Sequence, residues 1–128
     1  MQLPITLKLA IEKLLSNEKM SSLSQSSQDL SQIYRHKKFS DTVNLSNFHQ
    51  AYLASRLPAT YASIHRTLQE LIYYPELNSI QNILDLGSGP GTTLWSIQSI
   101  FPLIKNFTLI EKDPQFIEIG KALSAQLT

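Results

Sequence analysis

Cysteine is absent from this 128-residue sequence, which excludes disulfides and thiolate metal sites and leaves the redox compartment undetermined. Long apolar runs are absent too, and none approaches the ~20 residues of a membrane span. Charge is sparse: charged residues make up 16% of the chain and the net charge is +1. That balance gives no global argument for nucleic acid, and only local clustering could supply one. The N-terminal stretch "MQLPITLKLAIEKLL" is interrupted by Lys8, Glu12 and Lys13 and has no small-residue cleavage site, so it does not read as a secretory signal. A cytoplasmic location is the default expectation, with no membrane partner. His36, His49 and His65 lack metal-ligand spacing, so they are assigned no chemistry and no metal site is expected. Glycine is scarce as well, with four in all, yet Gly87, Gly89 and Gly91 fall together. Against these absences stands a hydrophobic share of 42% in a chain of one domain's length, which marks a globular protein with a core.

The periodicity divides the chain in two. Pro4 suits the first turn of a helix, and Leu7, Ile11 and Leu14 follow at helical spacing, so an amphipathic helix is expected from Pro4 to about Asn17. Ser21 to Asp29 is polar and serine-rich and reads as a linker or a helix start with little to bury. Leu30, Ile33 and Tyr34 share a helical face ahead of the basic cluster Arg35 to Lys38. Asn44 or Ser46 can cap a further helix on which Leu45, Phe48 and Tyr52 form a stripe, and Pro58 is expected to break it and start another. That next helix runs to about Tyr73, with Tyr61, Ile64, Leu68 and Leu71 inward. From Gln81 the pattern changes. "NILDL" reads as a short strand buried on both faces, and "FTLIE", Phe107 to Glu111, as a second. A helix from Thr92 to Phe101 lies between them, and Asp113 and Pro114 open a last one packed through Phe116, Ile119, Leu123 and Leu127. The expectation is an α/β chain, with a helical N-terminal region over residues 1–77 and the first β-α-β-α of a Rossmann-like sheet over 78–128. The two strands should pair in parallel through a right-handed helical crossover.

The glycines sit in "ILDLGSGPGTTLW", between the first strand and its helix. Gly87 lets the chain turn sharply, Gly89 has no Cβ to hold a ligand off the backbone, and Gly91 allows the helix start to pack closely. The N–H groups of that helix start attract an anionic group. A nucleoside triphosphate loop needs Lys-Ser or Lys-Thr after its last glycine, whereas Thr92 and Thr93 follow Gly91. A dinucleotide fingerprint needs glycine or alanine where Thr92 stands, which weakens NAD or FAD.

The sequence reads instead D-x-G-x-G-x-G from Asp85 to Gly91, which resembles motif I of the class I S-adenosylmethionine-dependent methyltransferases. The resemblance implies a loop of Gly87, Ser88, Gly89 and Gly91 around the methionine end of the cofactor, with Asp85 helping to position its ammonium group. Asp85 could alternatively cap the neighbouring helix. Glu111 stands twenty residues after Gly91, where Rossmann-type sheets place an acid that accepts both ribose hydroxyls.

"AYLASRLPATYASIHRTLQEL", Ala51 to Leu71, together with the glycine loop resembles the small-ribosomal-subunit methyltransferase-like family, as does "LSQIYR", Leu30 to Arg35. That family has bacterial members and a mitochondrial member that assists assembly of the small mitoribosomal subunit. The resemblance implies S-adenosylmethionine as cofactor, a role in ribosome maturation or translation, and ribosomal RNA or the small subunit as partner. It matches Tyr52, Arg56 and Tyr61 to a segment before motif I that would line the cofactor or substrate mouth. The alternative makes Tyr52 and Tyr61 core residues and Arg56 a helix-end cap. Arg35 to Lys38 could touch RNA phosphates or form an ordinary solvated face.

The departures from the family are large. The later strands of such a sheet are not legible, nor are the cysteines that mitochondrial-type members use for an iron–sulfur cluster. The expectation is a truncated or split sheet, or one completed by a partner chain, because two parallel strands leave open edges and one poorly covered face. The catalytic residues and the methyl acceptor are not legible. The alternative to an enzyme is a non-catalytic ribosome-assembly or RNA-binding module that retains the fold.

Overall fold

The computed structural model describes residues 2–24 and 45–127. The stripe Leu30, Ile33, Tyr34, the basic cluster Arg35 to Lys38 and the "LSQIYR" element lie outside the described residues. Helix α1 spans Ile5–Ser24, with the Lys8 N–H donating to the Pro4 carbonyl at 2.9 Å. It therefore runs into the serine-rich stretch read as a linker, because serine is tolerated in a helix whose first turns are anchored elsewhere. The anchor is the expected stripe: Leu7, Ile11 and Leu14 are all buried. Burial of such a side chain contributes about 1.5–3 kcal/mol.

The middle of the chain departs from expectation. Helix α2, Asn47–Ala51, is capped by Ser46 and passes without a break through a π-helical turn, Tyr52–Arg56, into α3, Leu57–Gln69. Pro58 is the second residue of α3 and does not end the segment. A proline deprives the helix of one N–H, and the wider turn just before it, closed by the Leu57 N–H on the Tyr52 carbonyl, absorbs that defect. The expected stripe is rotated as a result. Phe48 is 64% exposed, while His49 and Leu53 join Leu45 inside. After Gln69 the chain tightens into 3-10 turns at Glu70–Tyr73 and Pro75–Ser79.

Strand β1, Asn82–Leu86, is followed by helix α4, Thr92–Ile100, strand β2, Asn106–Ile110, and helix α5, Pro114–Ser124. The strands pair in parallel from Asn82↔Asn106 to Leu86↔Ile110, so the mixed α/β class and the expected pairing stand. The strand expected to be buried on both faces is not. Ile83 and Asp85 point to the covered face, whereas Leu84 and Leu86 are 63% and 71% exposed. One hydrophobic cluster joins Leu7, Ile11 and Leu14 of α1 with Leu53, Leu57 and Tyr61, Trp95 of α4, and Phe116, Ile119 and Leu123 of α5. Among the described residues, no helix is long and apolar enough to cross a membrane.

Candidate functional site

The loop after β1 is tied to the end of β2. The N–H groups of Gly87 and Ser88 both donate to the Ile110 carbonyl, at 2.8 and 3.0 Å, and the Gly91 N–H donates to the Ser88 carbonyl. This tight path needs the left-handed backbone at each motif glycine, with φ of +71° at Gly87, +55° at Gly89 and +89° at Gly91. The glycine spacing is thus a conformational requirement as well as a spatial one. A Cβ on Gly91 would meet only Leu109 of β2, at 3.6 Å, so its backbone angle demands glycine more than its packing does.

Glu111, the first residue beyond β2, turns back onto the loop. Its Oε1 accepts the Gly89 N–H at 2.8 Å, and its Oε2 accepts the Asp113 N–H at 2.8 Å. These two bonds, the Asp113 one foremost, hold its carboxyl below the usual range, so it is ionised at neutral pH. Each oxygen keeps lone-pair capacity for one more donor, as a cis-diol would require.

Asp85 lies on the covered face of β1. Burial pushes its carboxyl up, against a hydrogen bond from Thr93 that pulls it down. The partner is the Thr93 side chain in the first turn of α4 and not a backbone N–H, so the contact is not a helix cap. Asp85 Oδ2 remains buried without a partner, an acceptor oriented for a donor that no described residue supplies. Thr92, standing where a dinucleotide fingerprint has glycine, is buried, and its hydroxyl is also unpartnered.

Of the segment before the loop, Tyr52 reaches the site. Its hydroxyl lies 3.6 Å from where a Cβ on Gly89 would stand, and its ring packs on Phe116 at 4.8 Å. Tyr61 does not: it is 2% exposed in the core, tilted on His65 at 5.5 Å. Arg56 is exposed in the π-helical turn and joins no ion pair among the described residues. A cavity of about 200 Å³ opens between the loop and α5, lined by Gly89, Gly91, Glu111 and Phe116 among others. Whole ligand sites enclose roughly 300–1,000 Å³, so this cavity is smaller than a complete one. Among the described residues no group of acids and histidines is arranged to hold a metal ion.

Three further residues contribute to the site without a clear mark in the sequence pattern. Gly120 lies in α5, and a Cβ there would meet the Pro90 carbonyl oxygen at 3.4 Å, so the helix rests against the loop at this point. Its signal is a lone glycine inside a helical pattern, which often marks a close approach. Phe116, which the periodicity gives only to the core, also lines the cavity. His49 has no metal-ligand spacing, yet its Nε2 donates to Asp113 Oδ2 at 2.9 Å, a direction fixed by the carboxylate's inability to donate, and its Nδ1 pairs with the Ser46 hydroxyl. A partner sixty-four residues away leaves no trace in local spacing.

With this geometry in view, residues 47–128 match the family model described as mitochondrial small ribosomal subunit Rsm22. No curated protein and no solved structure matches the chain.

Proposed function

The chain belongs to the mitochondrial small ribosomal subunit Rsm22 family, and from that premise we propose that it forms the cofactor-binding wall of an S-adenosylmethionine-dependent methyltransferase linked to maturation of the small ribosomal subunit. The observation that carries this reading is the pairing of the Gly89 N–H with the ionised Glu111 carboxylate across the loop. That pairing sets an ionised carboxylate, suited to accept a ribose diol, beside a backbone free of side chain. Asp85 supports it, since a buried and unpartnered carboxylate oxygen fits an ammonium group, directly or through water. Bound there, the cofactor supplies an activated methyl on a sulfonium, and the protein's part is alignment and electrostatics. Glu111 would accept the ribose hydroxyls, Asp85 the ammonium, and Tyr52 would border the Gly89 peptide. The exposed Leu84, Leu86 and Ile110 fit a face that a further segment or a partner chain covers to close the site.

Calorimetric titration tests the ligand. S-adenosylmethionine or its demethylated product should bind more tightly than NAD, because Thr92 fills the place of the third fingerprint glycine. Tighter NAD binding would overturn the assignment. Failure of all three ligands would favour the non-catalytic assembly module, a reading that the small cavity also suits.

Asp85→Asn separates binding from stability. Burial raises this carboxyl's pKa, so at neutral pH the folded state holds a charge that it disfavours relative to the unfolded chain. The amide removes that penalty, so thermal stability should stay level or rise. Affinity for S-adenosylmethionine should fall about tenfold, as a charge-assisted contact is lost. Unchanged affinity in Asp85→Asn, with a drop in melting temperature only in Asp85→Ala, would assign Asp85 to holding the start of α4 alone, since asparagine keeps an acceptor for Thr93 that alanine removes.

A further inference from the structure

Four hydrogen bonds run in series from the start of α2 to the glycine loop. The Ser46 hydroxyl pairs with His49 Nδ1, and His49 Nε2–H donates to Asp113 Oδ2 at 2.9 Å. The Asp113 N–H donates to Glu111 Oε2 at 2.8 Å, and Glu111 Oε1 accepts the Gly89 N–H at 2.8 Å. His49 is buried, and its ring packs edge-on against Phe116 at 4.7 Å. One turn later on the same helical run, Tyr52 packs against the same phenyl ring at 4.8 Å and sets its hydroxyl over Gly89. A core position could have been filled by leucine at no polar cost. A histidine with both nitrogens satisfied fixes direction as well as packing, since its bonds hold only in one orientation.

We infer that His49 is a positioning residue which, through Asp113, locks α2 onto the β2–α5 corner and so holds the Glu111 carboxylate and the Tyr52 hydroxyl against Gly89. Its role in ligand binding rests on reading this loop as the cofactor wall, but the lock itself is a property of the free protein. Glu111 is half-buried and its side chain has rotamers that would leave Gly89 unpartnered. Asp113 restricts that choice by presenting its N–H to Oε2, and His49 restricts Asp113. The same carboxylate caps α5, where Asp113 Oδ1 accepts the Gln115 N–H at 2.9 Å, leaving Oδ2 for the histidine.

Amide hydrogen exchange of the full chain without ligand tests the lock. His49→Leu keeps the apolar packing and removes both ring bonds, so the Gly89 and Asp113 amides should exchange about tenfold faster while the buried Ile119 amide of α5 is unchanged. His49→Gln places a donor near the Nε2 position and should restore most of the protection. Asp113→Asn keeps the helix cap, since asparagine caps as well as aspartate, and should release Gly89 to a lesser degree. Unchanged Gly89 exchange in both His49→Leu and Asp113→Asn would overturn the inference. So would equal acceleration of Gly89 and Ile119, which would make His49 a plain core residue. If the lock is found and S-adenosylmethionine still does not bind, the inference stands and the proposed cofactor falls.

Discussion

Glu111→Ala should weaken S-adenosylmethionine binding about a hundredfold and also lower the stability of the ligand-free protein. The carboxylate has two occupations. It accepts the Gly89 and Asp113 N–H groups, and on the proposed reading it also accepts a ribose diol. Loss of hydrogen bonds to a charged group costs about 1.5–3 kcal/mol, which alone gives a ten- to hundredfold drop in affinity. Release of the loop adds to this, because the Gly89 peptide is then no longer held in its binding conformation. The stability loss should be smaller, about 1 kcal/mol or a few degrees in melting temperature, since the site is half exposed and water replaces part of each bond. A pH series sharpens the test. Glu111's carboxyl is held below the usual range, so its contribution is present above about pH 4 and disappears as pH falls through the lower folded-state value. The alanine variant should therefore lose less stability than the parent on acidification across that window. Glu76→Ala, on the exposed turn before β1, is the control and should be near neutral. Equal affinities for the two variants would reduce Glu111 to a loop tie with no ligand role.

What the sequence discloses follows from how local each determinant is. Strand β1 is legible to the residue, because an apolar run ends at Gly87, and α5 because Asp113 and Pro114 announce a helix start. Residues Gly87, Gly89 and Gly91 and the acid at the end of β2 are legible as a set, since fixed spacing carries them. The rest is legible only in part. The π-helical turn at Tyr52–Arg56 rotates α2 so that His49 goes inside and Phe48 outside, and no residue type signals a turn one residue wider than usual. Tyr61 is read two ways, inward by its helical spacing and at the site mouth by resemblance, and its position in the apolar stripe of α3 takes it into the core. The thin cover of a two-stranded sheet is legible, but not which side chains face outward, because Leu84 and Leu86 read as buried residues whatever covers them. Burial is a property of neighbours, and composition records only that neighbours are wanted.

Gly89→Val should abolish S-adenosylmethionine binding while the sheet stays folded. Two effects act at this residue and can be separated. Its φ of +55° disfavours any L side chain by about 1–2 kcal/mol, and more for a β-branched one. Its Cβ would point toward the Tyr52 hydroxyl at 3.6 Å, an ordinary contact for one carbon but not for the two further methyls of valine. Gly89→Ala bears the backbone cost alone and adds a single methyl, so it should lose about tenfold in affinity where valine loses all that calorimetry can detect. Both variants should melt below the parent, valine lower than alanine, because the positive φ costs a β-branched residue more and its further methyls crowd the Tyr52 hydroxyl. The parallel ladder from Asn82↔Asn106 to Leu86↔Ile110 does not pass through Gly89, so amide resonances of β1 and β2 should persist in both. If valine binds as tightly as alanine, no ligand lies on the Gly89 peptide, and the loop serves only to turn the chain from β1 into α4. If valine binds nothing and alanine binds weakly, the absence of a side chain at this position is itself part of the cofactor site.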